Sequence, residues 1–198
     1  MFTQQLKHQL IYFFLTFGVL FGYVLTNIPR LIQNSTQTLV DNFIPLIPIF
    51  SVPYILYIPV LFGTLLFTIF KFAGHEKLFL IRFILAQIIA LLFFVFYPAT
   101  MLKVDLIGND FFDNLVKFIY SIDKPYNLFP STHVLHTCVI SQYWIMISKT
   151  KVIKFTLYVI AFLICISTVL VKQHYAIDIL GGLAIFGLVN CVVREKKD

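Results

Sequence analysis

Little of this sequence is charged: Asp, Glu, Lys and Arg make up only 12% of the 198 residues, against 60% hydrophobic. A soluble domain carries about 25% charged residues, and a fold this small could not hide so much apolar surface inside itself. A water-soluble globular domain is therefore excluded, and lipid is the solvent the composition requires. Cysteine is scarce too. Cys138, Cys165 and Cys191 all lie inside apolar runs, with neither a disulfide framework nor a metal-binding spacing, and are expected to be small buried side chains. Carboxylates suited to Mg²⁺ are not clustered, so no metal and no cofactor are expected. Repeats, low-complexity linkers and a soluble domain are all missing, which leaves one membrane-embedded domain over residues 1–198. The net charge of +6 does not point to nucleic acid, because the basic residues sit at the ends of apolar runs rather than in a patch.

What the chain has in quantity is Phe (23) and Tyr (10), side chains suited to acyl chains and headgroup boundaries. A bilayer core takes about 20 apolar residues per helix. Stretches at 9–26, 52–72, 78–98, 133–148, 152–171 and 175–193 qualify, which predicts an all-α, polytopic bundle of six transmembrane helices. The fourth is short and carries His136, Ser141 and Gln142, so it is expected to face protein rather than lipid. Met1 to Thr26 is read as an uncleaved first span, since no small-residue cleavage site follows it. Ten of the fifteen basic residues fall on one side if the N-terminus is cytoplasmic, which predicts both termini in the cytoplasm. Two long loops are then extracytoplasmic. In Asn27–Ser51, Pro45 and Pro48 preclude a regular helix. In Ala99–Thr132, apolar residues from Phe111 to Ile122 recur at helical spacing and predict a short amphipathic helix in the interface, either covering the bundle or guiding a headgroup inward.

Because spans alternate direction, the end of span three, the start of four, the end of five and the start of six share one membrane face. Lys103, Ser131, His133, Lys172, His174 and Asp178 therefore converge outside. His174 and Asp178 are four apart, which on one helix brings their Cβ atoms within about 5–6 Å. A carboxylate there can accept Nδ1–H of His174 and leave Nε2 as a lone pair aimed at a substrate. A helix-end ion pair or a proton relay is the plainer reading of the same pair. Pro130, Ser131 and Thr132 look like a helix start whose free N–H groups, with the Ser131 hydroxyl, would cradle a phosphate. His136 is expected to line the site or bond a neighbouring helix, with His8 and His75 on the opposite face.

Pro130-Ser131-Thr132-His133, followed by Ser167 and then His174-x3-Asp178, resembles the type 2 phosphatidic acid phosphatase family, with its motifs P-S-x-H and S-R-x5-H-x3-D. The resemblance implies a six-span core, His174 as a nucleophile forming a phosphohistidine, Asp178 orienting it, and His133 protonating the leaving oxygen. It also implies that Ser131 holds the phosphate, with Thr132 beside it. Two departures stand out. Thr168 occupies the arginine position of the third motif, and the loop after span three holds no K-x6-R-P, only Lys103; Lys172 is a second available cation. A lysine point charge does not replace an arginine's bidentate fork. These departures look like the branch of sphingomyelin and inositol phosphorylceramide synthases, and Asp41-x2-Ile44-Pro45-x-Ile47-Pro48 is similar to segments of that branch. The expected function is metal-independent hydrolysis of a phosphomonoester or diphosphate of a membrane lipid. The alternatives are a lipid phosphotransferase and, from another class, a non-enzymatic proton-relay channel or transporter. A membrane lipid and the bilayer are the expected partners, with no nucleic acid. The expected location is a bacterial plasma membrane, with the site on its extracytoplasmic face.

Overall fold

The computed structural model describes residues 2–72 and 74–195. Seven α-helices follow in order: α1 (Phe2–Thr26), α2 (Ser51–Lys71), α3 (Gly74–Phe96), α4 (Phe111–Ile122), α5 (Thr132–Ile147), α6 (Lys151–Leu170) and α7 (Ala176–Val192). Two short 3₁₀ turns, Leu39–Asn42 and Pro48–Phe50, interrupt the loop before α2. No strand forms among the described residues. Helices are what a bilayer demands, since only intrahelical bonding satisfies every backbone group where no water is present.

Among the described residues four segments are long and apolar enough to cross a membrane: Gln4–Thr26, Pro48–Lys71, Gly74–Phe96 and Lys151–Leu170. The two helices that carry the histidine motifs are shorter, at 16 residues for α5 and 17 for α7. Their position in the bundle explains how the chain tolerates that. α3 and α5 form the centre, where Leu80, Phe83, Ala86, Phe94, Leu135 and Tyr143 are buried. Nearly the whole first half of α5 is enclosed by protein, including Thr132, His133, His136 and Thr137. α1 does the opposite, exposing Phe14, Phe21, Val24 and Leu25, as a helix does when acyl chains are its solvent.

Close packing of α5 on α7 depends on glycine. A Cβ on Gly182 would stand 2.8 Å from the carbonyl oxygen of Ser131 and 3.2 Å from Cβ of Val134. Small residues at such crossings let backbones approach. The contact is sealed by Ser131 N–H, which donates to the Asp178 carbonyl at 3.1 Å. The starts of α5 and α7 are thus held as one unit.

α4 caps the loop side of the bundle. Asp110 is its N-cap and accepts from Asp113 N–H at 2.8 Å, while Val116 and Ile119 are buried. Ile119 packs with Tyr54 and Val171, and the Tyr120 hydroxyl donates to the Val171 carbonyl at 2.9 Å. At the other end of the molecule, Glu76 accepts from the Tyr143 hydroxyl at 2.8 Å and pairs with Lys71 at 3.2 Å. Arg82 donates to the Val193 carbonyl and to Gln142, and His75 meets Glu195 at 3.3 Å. His8 stacks on Phe72 at the same end.

Three expectations need correction. The cysteines are not buried: Cys138 and Cys165 are half-buried and Cys191 is exposed, because each lies off the enclosed face of its helix, α5, α6 and α7 respectively. Pro130 does not open α5 but precedes its N-cap, Ser131. His174 is not on a helix at all, since α7 begins at Ala176.

Candidate active site

The position of His174 is set by how α6 ends. Lys172 adopts a left-handed conformation (φ 53°). Gln173 N–H then reaches back to the Thr168 carbonyl at 2.9 Å, and Lys172 N–H to Val169 at 3.2 Å. This is the paired bonding of a Schellman motif, usually built on glycine; a lysine there is held in a conformation costing about 1–2 kcal/mol. His174 N–H bonds to the same Thr168 carbonyl at 3.0 Å. Thr168 therefore contributes its backbone, while its hydroxyl turns to the Cys165 carbonyl of its own helix.

After this turn Tyr175 is extended and acts as N-cap of α7, and Asp178 occupies the third helical position. The Asp178 Oδ2 accepts Tyr175 N–H at 2.8 Å and lies 3.4 Å from Nδ1 of His174. The pair thus meets across a helix start rather than along a helix face. An acid in the first turn is favoured by the helix dipole. Both side chains are buried.

His133 faces this pair from the first turn of α5, its ring centroid 5.9 Å from that of His174. Tyr54 of α2 stacks on the His133 ring at 4.5 Å, and Tyr57 packs on it tilted at 4.2 Å. Tyr54 in turn donates to Asp123 Oδ2, and Tyr23 donates to its Oδ1 at 3.2 Å. The Ser131 hydroxyl is fully buried and accepts from Val134 N–H at 3.5 Å, a long capping contact that leaves it able to turn toward a ligand. Thr132 is the first residue of α5 and is buried beside His133. His136 bonds Tyr57 through Nδ1 at 2.7 Å. Several buried polar atoms meet at this place without a hydrogen-bond partner: His133 Nδ1, Asp178 Oδ1 and Gln173 Nε2. Burial without a partner costs a polar group several kcal/mol in an apolar medium (about 2–7), so such a cluster marks a place built to receive a polar ligand.

The two expected cations have different settings. Lys103 reaches the site: its Nζ donates to Gln173 Oε1 at 2.7 Å and to the Asp123 carbonyl at 3.0 Å, over the Tyr120 ring. Lys172 points away from His174, to the carbonyls of Asp41 and Ile44. Neither forms an ion pair with a carboxylate among the described residues, so both keep charge available to an anion. Burial lowers the Lys103 pKa to about 8, against a partly offsetting pull from Asp123. Asp41 accepts Ala176 N–H at 2.7 Å and Thr38 N–H and Oγ1–H at 2.7 Å. Burial works to raise its pKa, yet these bonds and the Lys172 charge hold it below the usual carboxylate value. Asp41 thereby caps α7 from outside and braces the His174 turn.

Two cavities adjoin the site. One, of about 800 Å³, is polar and is lined by Asp41, Lys103, Lys172 and Tyr175. The other, of about 440 Å³, is mainly apolar, runs between α1, α2 and α4, and ends on Thr132, His133 and His136. The apolar cleft thus ends on His133 and His136, while the charged cavity lies against Lys172 and Tyr175, which flank His174 in the chain.

Sequence reasoning missed Asp123, Tyr54, Tyr57 and Gln87. Asp123 is a lone acid in a polar loop, and the tyrosines of α2 are three apart in an aromatic-rich span, so no local pattern set them apart.

No curated protein and no solved structure matches the chain significantly. A family model described as the PAP2 superfamily matches residues 30–192, a stretch that contains every residue placed at the site above except Tyr23. Its members are phosphatases or related phosphotransferases, and this chain belongs to the PAP2 superfamily.

Proposed function

We propose that this chain is a membrane lipid phosphatase that works through a phosphohistidine on His174. The observation that carries this is the contact of His174 Nδ1 with Asp178 at 3.4 Å, opposite the His133 ring, which itself ends an apolar cleft. In this reading α1, α2, α3, α5, α6 and α7 all cross the bilayer, both termini are cytoplasmic, and α4 lies at the outer interface. The short helices fit that arrangement. Sixteen residues of α5 rise about 24 Å, less than the roughly 30 Å hydrocarbon core, which recesses His133 and His174 below the outer surface.

The lipid slides sideways into the cleft with its phosphate against Ser131, Thr132 and Lys103. Nε2 of neutral His174 attacks phosphorus while Asp178 accepts Nδ1–H and stabilises the imidazolium. His133, protonated, gives its proton to the departing lipid oxygen as the P–O bond breaks. Neutral His133 then takes a proton from water, whose oxygen attacks phosphorus and breaks the P–N bond, freeing inorganic phosphate and restoring both histidines. Lys103 and the N–H groups at the start of α5 offset charge on the equatorial oxygens. Lys172 acts at longer range, at the rim of the polar cavity.

The test is phosphate release by the detergent-purified protein from phosphatidate and from a polyprenyl diphosphate, with chelator present. Release that survives chelation is expected; loss of activity on chelation, restored by metal, contradicts this mechanism.

Lys103 supplies a second test through pH. Its charge is present below pH 8 and lost above it, so kcat/KM is expected to fall with an apparent pKa near 8. Stability moves the other way. Between pH 8 and the ordinary value of 10.5 the folded chain binds fewer protons at Lys103 than the unfolded one, so this group makes the fold more stable as pH rises. A decline in activity without a decline in melting temperature is the signature. Lys103→Met is expected to raise KM by about 10-fold or more, the worth of one charge-assisted bond, and to remove the inflection.

One observation favours a phosphotransferase as the second reading. Both histidines are almost wholly buried and the cleft beside them is apolar, which restricts water and would admit a lipid alcohol as acceptor. Transfer of labelled phosphate or headgroup to diacylglycerol or ceramide, with no free phosphate, would select it.

A further inference from the structure

The apolar cleft has a polar floor that the catalytic reading does not use. Gln87 of α3 is completely buried, and neither its Nε2 nor its Oε1 has a hydrogen-bond partner. His136 is buried as well. Its Nδ1 is engaged by Tyr57, but its Nε2 has none. Both side chains line the same cavity as His133. Their depth follows from the helices. His136 lies three residues, and so about one turn or ~5 Å, further into the bundle than His133. Phe83 packs its ring on His136 at 4.4 Å, and Gln87 is one turn from Phe83 on the same face of α3. Gln87 therefore lies within about one turn of His136, on the His133 side of it.

Orphaned donors and acceptors in a membrane core are costly, since no bulk water is there to bond them. A structure that keeps three such atoms around one cavity has a partner for them in the working state. Tyr57 O–H is the better donor in its bond with His136, which leaves Nε2–H of His136 as a donor. With the Gln87 amide, the cavity floor offers two donors and one acceptor.

We propose that Gln87 and His136 form a subsite for the carbonyl groups, ester or amide, that link acyl chains to the backbone of the lipid. This rests on the reading of a lipid phosphoester as the substrate and narrows its class. With phosphorus at His174 and the leaving oxygen at His133, the ester carbonyls of a glycerolipid or the amide of a sphingolipid fall about one helical turn deeper, level with the orphaned atoms. A polyprenyl phosphate is hydrocarbon from its first carbon and leaves them unbonded. The acceptor on Gln87 also suits the amide N–H of a sphingolipid.

The measurement is equilibrium binding of labelled diacylglycerol, ceramide, dialkylglycerol and polyprenol to the purified protein in detergent. Wild-type protein is expected to bind the better of diacylglycerol and ceramide about 10-fold more tightly than dialkylglycerol or polyprenol, the worth of one buried hydrogen bond. Which of the two binds better identifies the source of the carbonyl. Gln87→Leu is expected to erase the preference while leaving dialkylglycerol binding unchanged. Equal binding of diacylglycerol, ceramide and dialkylglycerol by wild-type protein overturns the subsite and assigns the orphaned atoms to water, as does a preference that persists in Gln87→Leu. The wild-type comparison stands even if the variant does not fold. Because these ligands carry no phosphate, their binding is independent of turnover. Carbonyl preference without phosphate release would refute the hydrolytic reading and keep the subsite, and the reverse result would refute only the subsite.

Discussion

His174→Ala is expected to abolish phosphate release, by about 10⁴-fold or more, because removing the nucleophile of a covalent mechanism removes the path itself. The loss should fall in kcat, with KM for the lipid little changed, since the cleft and Lys103 that hold the substrate remain. Melting temperature should change little, because the turn is held by backbone bonds from Gln173 and His174 to the Thr168 carbonyl and not by the imidazole. Steady-state release from phosphatidate, beside a thermal melt of the same preparation, checks both. Retention of more than about a tenth of wild-type kcat would rule out His174 as the attacking group, since even one general acid or base contributes about 10²–10⁴-fold.

The second large effect separates His133 from His174. His133→Ala is expected to lower kcat by about 10²–10⁴-fold on a natural lipid phosphate, the usual worth of general acid catalysis. An alkoxide needs the proton; a nitrophenolate does not. On a lipid analogue with a nitrophenyl leaving group the defect should therefore shrink by at least about 10-fold, since Brønsted dependence on the leaving group weakens the need for an acid. His174→Ala should show no such recovery. A defect in His133→Ala of equal size on both substrates would assign His133 to binding or packing against Tyr54 and Tyr57.

Much of the site could be read from residue spacing and chain direction. His133, His174, Asp178, Ser131 and Lys103 gather at one end because alternating helices put the relevant termini there, an argument that needs no coordinates. The all-helical fold followed from composition for a similar reason: so apolar a chain has few other ways to satisfy its backbone. Periodicity could not reveal the turn geometry. The spacing of His174 and Asp178 suggested a shared helix face, but α6 closes in a Schellman motif and α7 restarts two residues after the histidine. Nothing local distinguishes a lysine that will adopt φ 53° from one that will not. Lys172 illustrates the same limit. Two residues from His174 in sequence, it is turned by that backbone toward Asp41 and Ile44, so nearness along the chain misjudged its reach.

The residues that escaped notice are those whose roles are long-range. Asp123 gathers Tyr23 from α1, Tyr54 from α2 and, through its carbonyl, Lys103. Asp41 stands out in the sequence only for the likeness of its segment, and its capping of α7, 135 residues further on, could not be read there. Gln87 looks like a stray amide in an apolar span until the cavity around it is seen. Each gains meaning only from contacts made after the helices pack. The arginine positions of the family's motifs tell a related story. Thr168 bonds its own helix, and Lys103 approaches from another loop to stand beside Gln173. Positive charge at the site is thus supplied from the loop after α3, as a point charge rather than a fork.

Trapping the intermediate tests the central claim most directly. The purified protein would be mixed with lipid labelled in its phosphate, quenched in denaturant after milliseconds to seconds, and digested for mass spectrometry. The account predicts label on the peptide carrying His174, stable to alkali and lost in acid as a phosphoramidate is, present in His133→Ala and absent in His174→Ala. Phosphate release with no label on His174 at any quench time, in the wild type and in His133→Ala alike, would contradict it.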